Sequence, residues 1–305
     1  MSRGSGPDAR RGEAPPKVGA VVLTQGTRPE DLAAGIASLT SQEGIELDLA
    51  VVGNGWDPRE LGTGLPPSAR PIALATNLGI PAGRNAGADQ VEGDWIFFLD
   101  DDASLPSPTF LIDAIQLVRR DPTIGILQPR VDDATGLTSP RRWIPRIRKG
   151  DPAHSSAVFS VWEGAVLLPR AVFDATGGWA EEFFYAHEGI DLAWRVWDTG
   201  HRAWYAGDLV AHHPVIQQTR HEYYWRLNAR NRVWLARRNL PVPLIPLYVG
   251  AWTIIQALRF ARNRAGLRSW IMGWREGWTG DPGPRRPLRW KTVLRMTMAG
   301  RPPVI

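Results

Sequence analysis

Three consecutive aspartates, Asp100, Asp101 and Asp102, close the apolar run Trp95-Ile96-Phe97-Phe98-Leu99. Adjacent carboxylates repel one another, and a cation is the natural way to hold them together. Hard oxygen donors select Mg²⁺ or Mn²⁺, and those ions in turn bind diphosphates. The apolar run reads as a buried strand, and in open α/β sheets ligands bind beyond the carboxyl ends of strands. A polar turn capping a helix near Ser107 is the competing use of the same residues. Further along, Arg226, Arg230, Asn231 and Arg232 share a helical stretch. They either face a diphosphate or form a solvated surface.

Placing an acidic cluster at a strand end requires a sheet, and the first half of the chain alternates strand and helix signals. Val18–Thr24 is short, apolar and β-branched. Pro29 then opens a helix with Leu32, Ile36 and Leu39 on one face. Strands are expected at Leu47–Val52, ending in Gly53-Asn54-Gly55, at Arg70–Ala75 and at Trp95–Leu99, with a helix over Gly83–Val91. This alternation predicts an α/β fold with a mostly parallel sheet and flanking helices. The middle of the chain predicts strands at Ile124–Val131 and Val158–Leu168, separated by a basic loop with Arg141, Arg142, Arg146, Arg148 and Lys149. A helix over Gly189–Thr199 and short strands at Ala203–Tyr205 and Leu209–Ala211 follow. Beyond Thr219 the signals are helical as far as the Gly- and Pro-rich stretch Thr279–Pro287.

With 305 residues, 43% of them hydrophobic, the chain can bury a large core, and the absence of cysteine excludes disulfides and thiolate metal sites. That composition fits a reducing, cytoplasmic compartment. Residues 1–16 are rich in Gly, Pro, Arg and Ser without an apolar stretch, which predicts disorder and no secretory signal. The net charge of +5 is concentrated near the C-terminus, where Arg and Lys between Arg259 and Arg301 face only Glu276 and Asp281. A basic tail suits nucleic acid or an anionic membrane surface. The 19 uncharged residues Leu240–Leu258 beside it favour the membrane, and no nucleic-acid partner is expected. That length approaches the ~20 residues of a span, but Pro241, Pro243, Pro246 and Gln256, with positive charge on both flanks, point to an in-plane or re-entrant helix. Trp270, Trp274 and Trp278 recur at helical spacing, as on an interfacial helix. A homodimer interface or packing on the preceding domain is the alternative.

The stretch Asn77-Leu78-Gly79-Ile80-Pro81-Ala82-Gly83-Arg84-Asn85-Ala86-Gly87, followed by Gly93-Asp94 and the run into Asp102, resembles glycosyltransferase family 2. These are inverting enzymes of the GT-A fold, and the layout is similar to their rhamnosyltransferase-like bacterial branch. The resemblance covers roughly residues 17–235 and divides the chain into a disordered 1–16, a catalytic 17–235 and a helical, basic, Trp-rich 236–305. The glycine spacing is not a dinucleotide fingerprint, because it lacks Gly-x-Gly-x-x-Gly and follows the third strand. The resemblance implies a UDP- or dTDP-sugar donor. It gives Asp102 the metal, Asp101 the ribose or diphosphate, and Asp100 a place on the donor side. Thr24, Gln25 and Arg28 hold the nucleotide, although Gln25-Gly26 departs from the usual Tyr-Asn. Gly53 stands where relatives carry a base-reading Asp, leaving Asn54 or Asp57 to compensate. Asn77 and Gly79 belong to the donor loop, and Arg84 and Asn85 are expected to close over the donor.

On the acceptor side, Gly177-Gly178-Trp179-Ala180-Glu181-Glu182, leading to Glu188-Gly189-Ile190-Asp191-Leu192 and Arg195, resembles the family's Gly-Gly-Phe-Asp-Glu segment and its Glu-Asp-x-Asp-Leu sequence. Relatives assign the base that takes the acceptor hydroxyl proton to the Asp after the Glu. Gly189 stands there, so the expected base is Glu188, with Asp191 as the second choice. First-turn acidic residues also stabilise a helix without any catalytic part. His212, ahead of His213, matches the histidine that completes the metal shell in relatives. Trp162-Glu163-Gly164 resembles the acceptor loop, in which an aromatic ring stacks on a sugar; core packing of Trp162 is the alternative.

These features together predict a metal-dependent inverting glycosyltransferase on the inner face of the plasma membrane. It would pass a sugar to a glycan or lipid-linked acceptor in cell-envelope polysaccharide synthesis. A nucleotidyltransferase would need a glycine- and lysine-rich signature after the first strand, which is missing. A degenerate scaffold that binds nucleotide-sugar is kept as the alternative by Gly189.

Overall fold

The computed structural model describes residues 14–146, 150–215, 222–260 and 264–304. Most of the segment expected to be disordered, together with Arg148, Lys149, Thr219 and Arg262, lies outside them.

Among the described residues the sheet has eight strands: β1 (Lys17–Thr24), β2 (Glu46–Asn54), β3 (Ala69–Leu74), β4 (Trp95–Asp100), β5 (Ile124–Asp132), β6 (Ser156–Val158), β7 (Ala165–Pro169) and β8 (Arg202–His212). Their order is β3-β2-β1-β4-β7-β5-β8-β6. The first four run parallel, β7 lies antiparallel to both β4 and β5, and β6 antiparallel to β8. The expected mixed, mostly parallel sheet is therefore present. Leu23 of β1 sits beside Asp100 of β4, so both strands end at the same level.

Alternation along the strands divides the core between the two faces of the sheet. Phe97 and Leu99 pack with Val22 on α1 (Pro29–Thr40) and α3 (Phe110–Arg120), through Leu32, Ile36, Phe110 and Ile115. Ile96 and Phe98 pack with Val21 on the other face, under α2 (Ile80–Ala88), α4 (Arg170–Thr176) and α5 (Glu188–Thr199). Helix α2 starts three residues before the position expected from sequence, because Pro81 is a favourable first-turn residue. It lies close on the sheet: a Cβ on Gly83 would stand 2.4 Å from Leu23, and one on Gly87 2.4 Å from Val21.

Two expectations for the middle of the chain are corrected. The apolar run 158–168 is not one strand. It splits into β6 at the sheet edge and β7 in the interior, and the crossing segment between them delivers Trp162 and Glu163 to the strand ends. Conversely, 203–205 and 209–211 belong to one strand, β8, whose register against β5 shifts between Pro129 and Arg130.

The helical end consists of α6 (Glu222–Asn239), α7 (Leu244–Phe260), α8 (Arg264–Thr279) and α9 (Trp290–Met298). The domain boundary expected at 235/236 falls inside α6. Leu240, Tyr248, Leu288 and Met296 share one core with Phe98 and Trp179, so the C-terminal region is built onto the sheet domain. Among the described residues, no helix is long and apolar enough to cross a membrane. The tryptophan stripe of α8 faces inward for most of its length. Trp270 is buried and Trp274 donates to Thr253 Oγ1 at 3.2 Å, while Trp278 stays exposed. Packing on α6 is close enough that a Cβ on Gly273 would meet the Arg226 carbonyl at 1.9 Å.

Candidate active site

A cleft of about 300 Å³ opens at the carboxyl ends of β1, β2 and β4. Thr24, Gln25, Arg28, Asn54, Asn77, Gly79, Asp100 and Asp101 line it, so most residues expected to hold a donor converge there. Phe184, Tyr185 and Tyr223 add an aromatic wall that sequence reading missed. Tyr223 comes from α6, and nothing in the local sequence links it to β1.

Three expected donor residues have other work. Asp57 caps a short 3₁₀ turn, accepting the Arg59 N–H at 3.0 Å, and is not among the residues that line the cleft. Asn85 ties α2 to the loop before α5: it donates to the Trp179 carbonyl at 2.9 Å and accepts the Trp179 N–H at 2.9 Å. Arg84 is buried rather than poised over a ligand. It pairs with Asp100 at 2.7 Å, and its guanidinium lies 4.9 Å from the centre of the Trp179 ring. Asn54 lines the cleft while shaping it, donating to Asn77 Oδ1 at 2.9 Å and accepting the Leu78 N–H at 2.8 Å.

The three aspartates are held differently. Asp101 accepts from Thr24 Oγ1 at 2.7 Å and from Arg28 at 2.8 Å. Burial still pushes its pKa up to about 6. Asp102 pairs with Arg28 through the other guanidinium nitrogen and with His213 Nε2 at 3.0 Å. Burial raises the Asp102 carboxyl, but the His213 hydrogen bond and the positive charges outweigh it, leaving the pKa below its ordinary value.

His213, rather than His212, brings its ring to the carboxylates. His212 is the last residue of β8, and its backbone bridges to Ser104. Successive side chains leave a strand on opposite sides, so a one-residue choice reverses the face. Ligand atoms of Asp100, Asp102 and His213 all lie within 4.8 Å of one another. The Pro214 carbonyl, which can only accept, lies 2.8 Å from His213 Nδ1 and fixes the proton there. Nε2 faces Asp102 and donates to it when the ring is protonated: burial disfavours that charge, but the hydrogen bond and charge of Asp102 outweigh it and raise the His213 pKa, and loss of the Nε2 proton would free that nitrogen for a metal. Two carboxylates and an imidazole suit Mn²⁺ or Mg²⁺, Mn²⁺ the better for the nitrogen. Trp143 and Trp162 pack edge-on to the His213 ring, at 5.2 and 5.0 Å between centres. Trp162 thereby walls the histidine, and Gly164, whose N-terminal neighbour is Glu163, accepts the Asp100 N–H at 2.8 Å through its carbonyl.

Behind this cluster lie two carboxyl groups, the buried Glu188 and the partly buried Glu163. Glu163 Oε1 accepts the Gly189 N–H at 2.6 Å. Among the described residues, Glu188 Oε2 has no hydrogen-bond partner. Burial, and then the charge of Glu163, push the Glu188 pKa up to about 8. Burial likewise raises Glu163, with Arg84 opposing the rise. The Asp191 carboxylate is engaged by three neighbouring side chains. It is fully buried, accepts Arg195 Nε at 2.8 Å and Asn239 Nδ2 at 2.6 Å, and lies 3.5 Å from Arg238 Nε.

Glu188 follows a strained turn. Phe184, Ala186 and His187 have φ of 62°, 72° and 73°, each costing about 1–2 kcal/mol for a residue with a Cβ. Asn231 donates to the carbonyls of Phe183, Tyr185 and Ala186 at 2.9, 2.7 and 2.8 Å, and Arg230 to Phe183 at 2.9 Å. Arg226 instead pairs with Glu276, and Arg232 donates to Tyr248 Oη at 3.1 Å. The polar face of α6 thus fixes the turn that presents Glu188, and none of these four residues lines the cleft.

Sheet order, strand-end cleft and carboxylate cluster define a domain of the GT-A, nucleotide-diphospho-sugar transferase type. The Glycosyl transferase family 2 model matches residues 21–176, half of the chain, and the chain belongs to that family. No curated protein sequence matches it. Solved structures share the fold at low identity. GalNAc-T7 with UDP, GalNAc and Mn²⁺ superposes with TM-score 0.63 at 13% identity, over 96% of this chain and 59% of that one. This chain therefore spans less than two thirds of GalNAc-T7. S. aureus TarS 1–349 with UDP-GlcNAc gives 0.60 at 12%, over 91% and 83%. The mannosyltransferase PcManGT from Pyrobaculum calidifontis with GDP-Man and Mn²⁺ gives 0.54 at 16%, over 95% and 78%.

Proposed function

We propose that this protein is an inverting glycosyltransferase that moves a sugar from a UDP- or dTDP-sugar to a hydroxyl of a glycan or lipid-linked acceptor. The observation that carries this reading is the meeting, at one strand end, of a nucleotide-sized cleft, the Asp100–Asp102–His213 donor set and a buried carboxyl group of raised pKa. Thr24, Arg28, Asn54 and Asn77 bind the nucleotide, and Tyr185 or Tyr223 stacks on its base. Asp100, Asp102 and His213 would hold the metal. When bound, that ion supplies positive charge beside the diphosphate leaving group. Glu188 takes the acceptor hydroxyl proton as the new glycosidic bond forms and the bond from the anomeric carbon to the diphosphate breaks. The metal-containing and nucleotide-containing complexes of GalNAc-T7, PcManGT and TarS support this assignment by analogy of fold.

We place the enzyme on the cytoplasmic face of the plasma membrane, in cell-envelope polysaccharide synthesis. Support comes from the exposed Leu247, Ile254 and Leu258 of α7 and Met298 of α9, beside a basic surface. The non-enzymatic alternative is a nucleotide-sugar-binding scaffold.

Incubation with UDP-, dTDP- and GDP-sugars and Mn²⁺ tests the reading through release of nucleoside diphosphate. Release from one donor, lost in Asp102→Ala and Glu188→Gln, is expected. Nucleotide binding without release from any donor, even with membrane extract as acceptor, would establish the scaffold instead.

A further inference from the structure

A second, larger cavity of about 1190 Å³ lies between the segment 140–146, α7 and the chain end near residue 301. Arg141, Arg142, Arg146, Arg259 and Arg301 line it around Trp252, and no Asp or Glu is among its described lining residues. Arg146 donates to the main-chain carbonyls of Asp151 and His154 at 2.6 and 2.8 Å, neutral acceptors that leave its charge in place. Arg142 lies over the Trp143 ring at 5.9 Å, and Arg259 is exposed. Behind Trp252, Arg232 stacks on the indole at 3.6 Å. Among the described residues, the Nε groups of Arg146 and Arg232 are both buried without a hydrogen-bond partner. Burial, and then the like charges of Arg232 and Arg141, hold the Arg301 guanidinium below its ordinary pKa. Arg142, Arg146 and Arg259 converge on the groove with no carboxylate among its described lining residues, and their planar donor forks match phosphate oxygens.

The groove adjoins the acceptor side of the site. Trp143, flanked by Arg142 and Ile144 of the groove wall, packs edge-on to His213 at 5.2 Å between ring centres. Ser160 of the groove precedes Trp162 and Glu163 by only a few residues. The groove is distinct from the nucleotide cleft, with which it shares no lining residue.

We infer that this groove binds a phosphate or diphosphate ester carried by the acceptor, with Arg142, Arg146 and Arg259 as its ligands and Trp252 against the adjoining apolar group. The word acceptor rests on the transferase reading; the anion site does not.

Inorganic pyrophosphate, titrated calorimetrically at low salt with a chelator present, probes the groove without the metal-dependent cleft. The double variant Arg142→Glu/Arg259→Glu changes two exposed side chains, and a thermal melt checks its fold. Pyrophosphate affinity is expected to fall at least ~10-fold in the double variant, for the loss of charge-assisted hydrogen bonds. Equal affinity in the two proteins, or no binding to the wild type, overturns the proposal. UDP with Mn²⁺, titrated in parallel, reports the cleft separately, so failure of the donor reading appears there and not in the pyrophosphate titration. Sedimentation with phosphatidylcholine vesicles containing a polyprenyl diphosphate, against plain vesicles, separates the two sources of the anion. Capture that the double variant loses supports the groove with a lipid-borne phosphate. Pyrophosphate binding without capture supports it with a soluble phosphorylated glycan.

Discussion

The carboxylate of Glu163 occupies the space that a side chain on Gly189 would need. Its Oε1 accepts the Gly189 N–H at 2.6 Å, and a Cβ built on Gly189 would stand 2.1 Å from that oxygen and 2.4 Å from the Val161 carbonyl. The residue that breaks the family pattern is thus matched by a carboxyl group arriving from the segment between β6 and β7. Partly buried Glu163 and buried Glu188 form an acidic pair beside Arg84, Glu163 anchored to the start of α5 and Glu188 with one oxygen that has no hydrogen-bond partner among the described residues.

Gly189→Ala should therefore displace Glu163 or the first turn of α5. Overpacking of this kind costs about 1–3 kcal/mol. Chemical denaturation should report that loss, and donor turnover should fall further than stability alone explains. An alanine variant with wild-type turnover would show that Glu163 need not sit where it does.

The raised pKa of Glu188 gives a pH signature with a defined sign. A base works only when deprotonated, so kcat/KM should climb as pH rises through about 8, and Glu188→Gln should flatten the profile while lowering the rate by about 10²–10⁴-fold. Stability runs the other way. A carboxyl group raised in the folded state contributes stability that is full below its unfolded value near 4.5 and lost as pH passes about 8. Melting curves of wild type and Glu188→Gln should diverge over that window, with the glutamine variant the more stable at the alkaline end.

Asp191 and Glu188 lie on the same helix but should respond differently. Asp191→Asn strips the carboxylate from buried Arg195, whose Nε donates to it at 2.8 Å. Removing one partner of a buried pair costs about 3–5 kcal/mol. Urea titration should show that loss, while the folded fraction retains the wild-type pH profile. A vanished alkaline rise in Asp191→Asn would instead return the base to Asp191.

The two neighbouring histidines make a paired test. His213→Ala should weaken the Mn²⁺ dependence of turnover by at least ~10-fold, as loss of a metal's supporting groups does. His212→Ala should leave it within error, because the contacts of His212 to Ser104 are made by its backbone. Mn²⁺ titration of nucleotide release, repeated by direct metal binding, measures both.

Local sequence determined much of this protein. An apolar run ending in three aspartates fixes a buried strand with carboxylates at its carboxyl end, because that run cannot be solvated and those charges, once buried, need partners such as Arg28 and His213. A helix over 83–91 was also legible, though its close approach to β1 through Gly83 and Gly87 belongs to the folded chain. Most donor residues were legible through the resemblance to glycosyltransferase family 2, whose motifs match this chain at its strand ends.

Tertiary structure decided the rest, because it depends on groups far apart in the chain. Whether His212 or His213 faces Asp102 turns on the register of β8. Whether Asp191 is a base or an anchor turns on Arg195, Arg238 and Asn239 reaching it from two helices. The use of α6 to clamp the turn before Glu188 through Asn231 has no signature in either segment. Composition flagged the tryptophans of α8 as membrane-seeking, yet Trp270 is buried, since burying an indole against α6 removes the same apolar surface from water that a bilayer would. Sequence patterns fix which faces must be hidden; only the packed chain fixes what hides them.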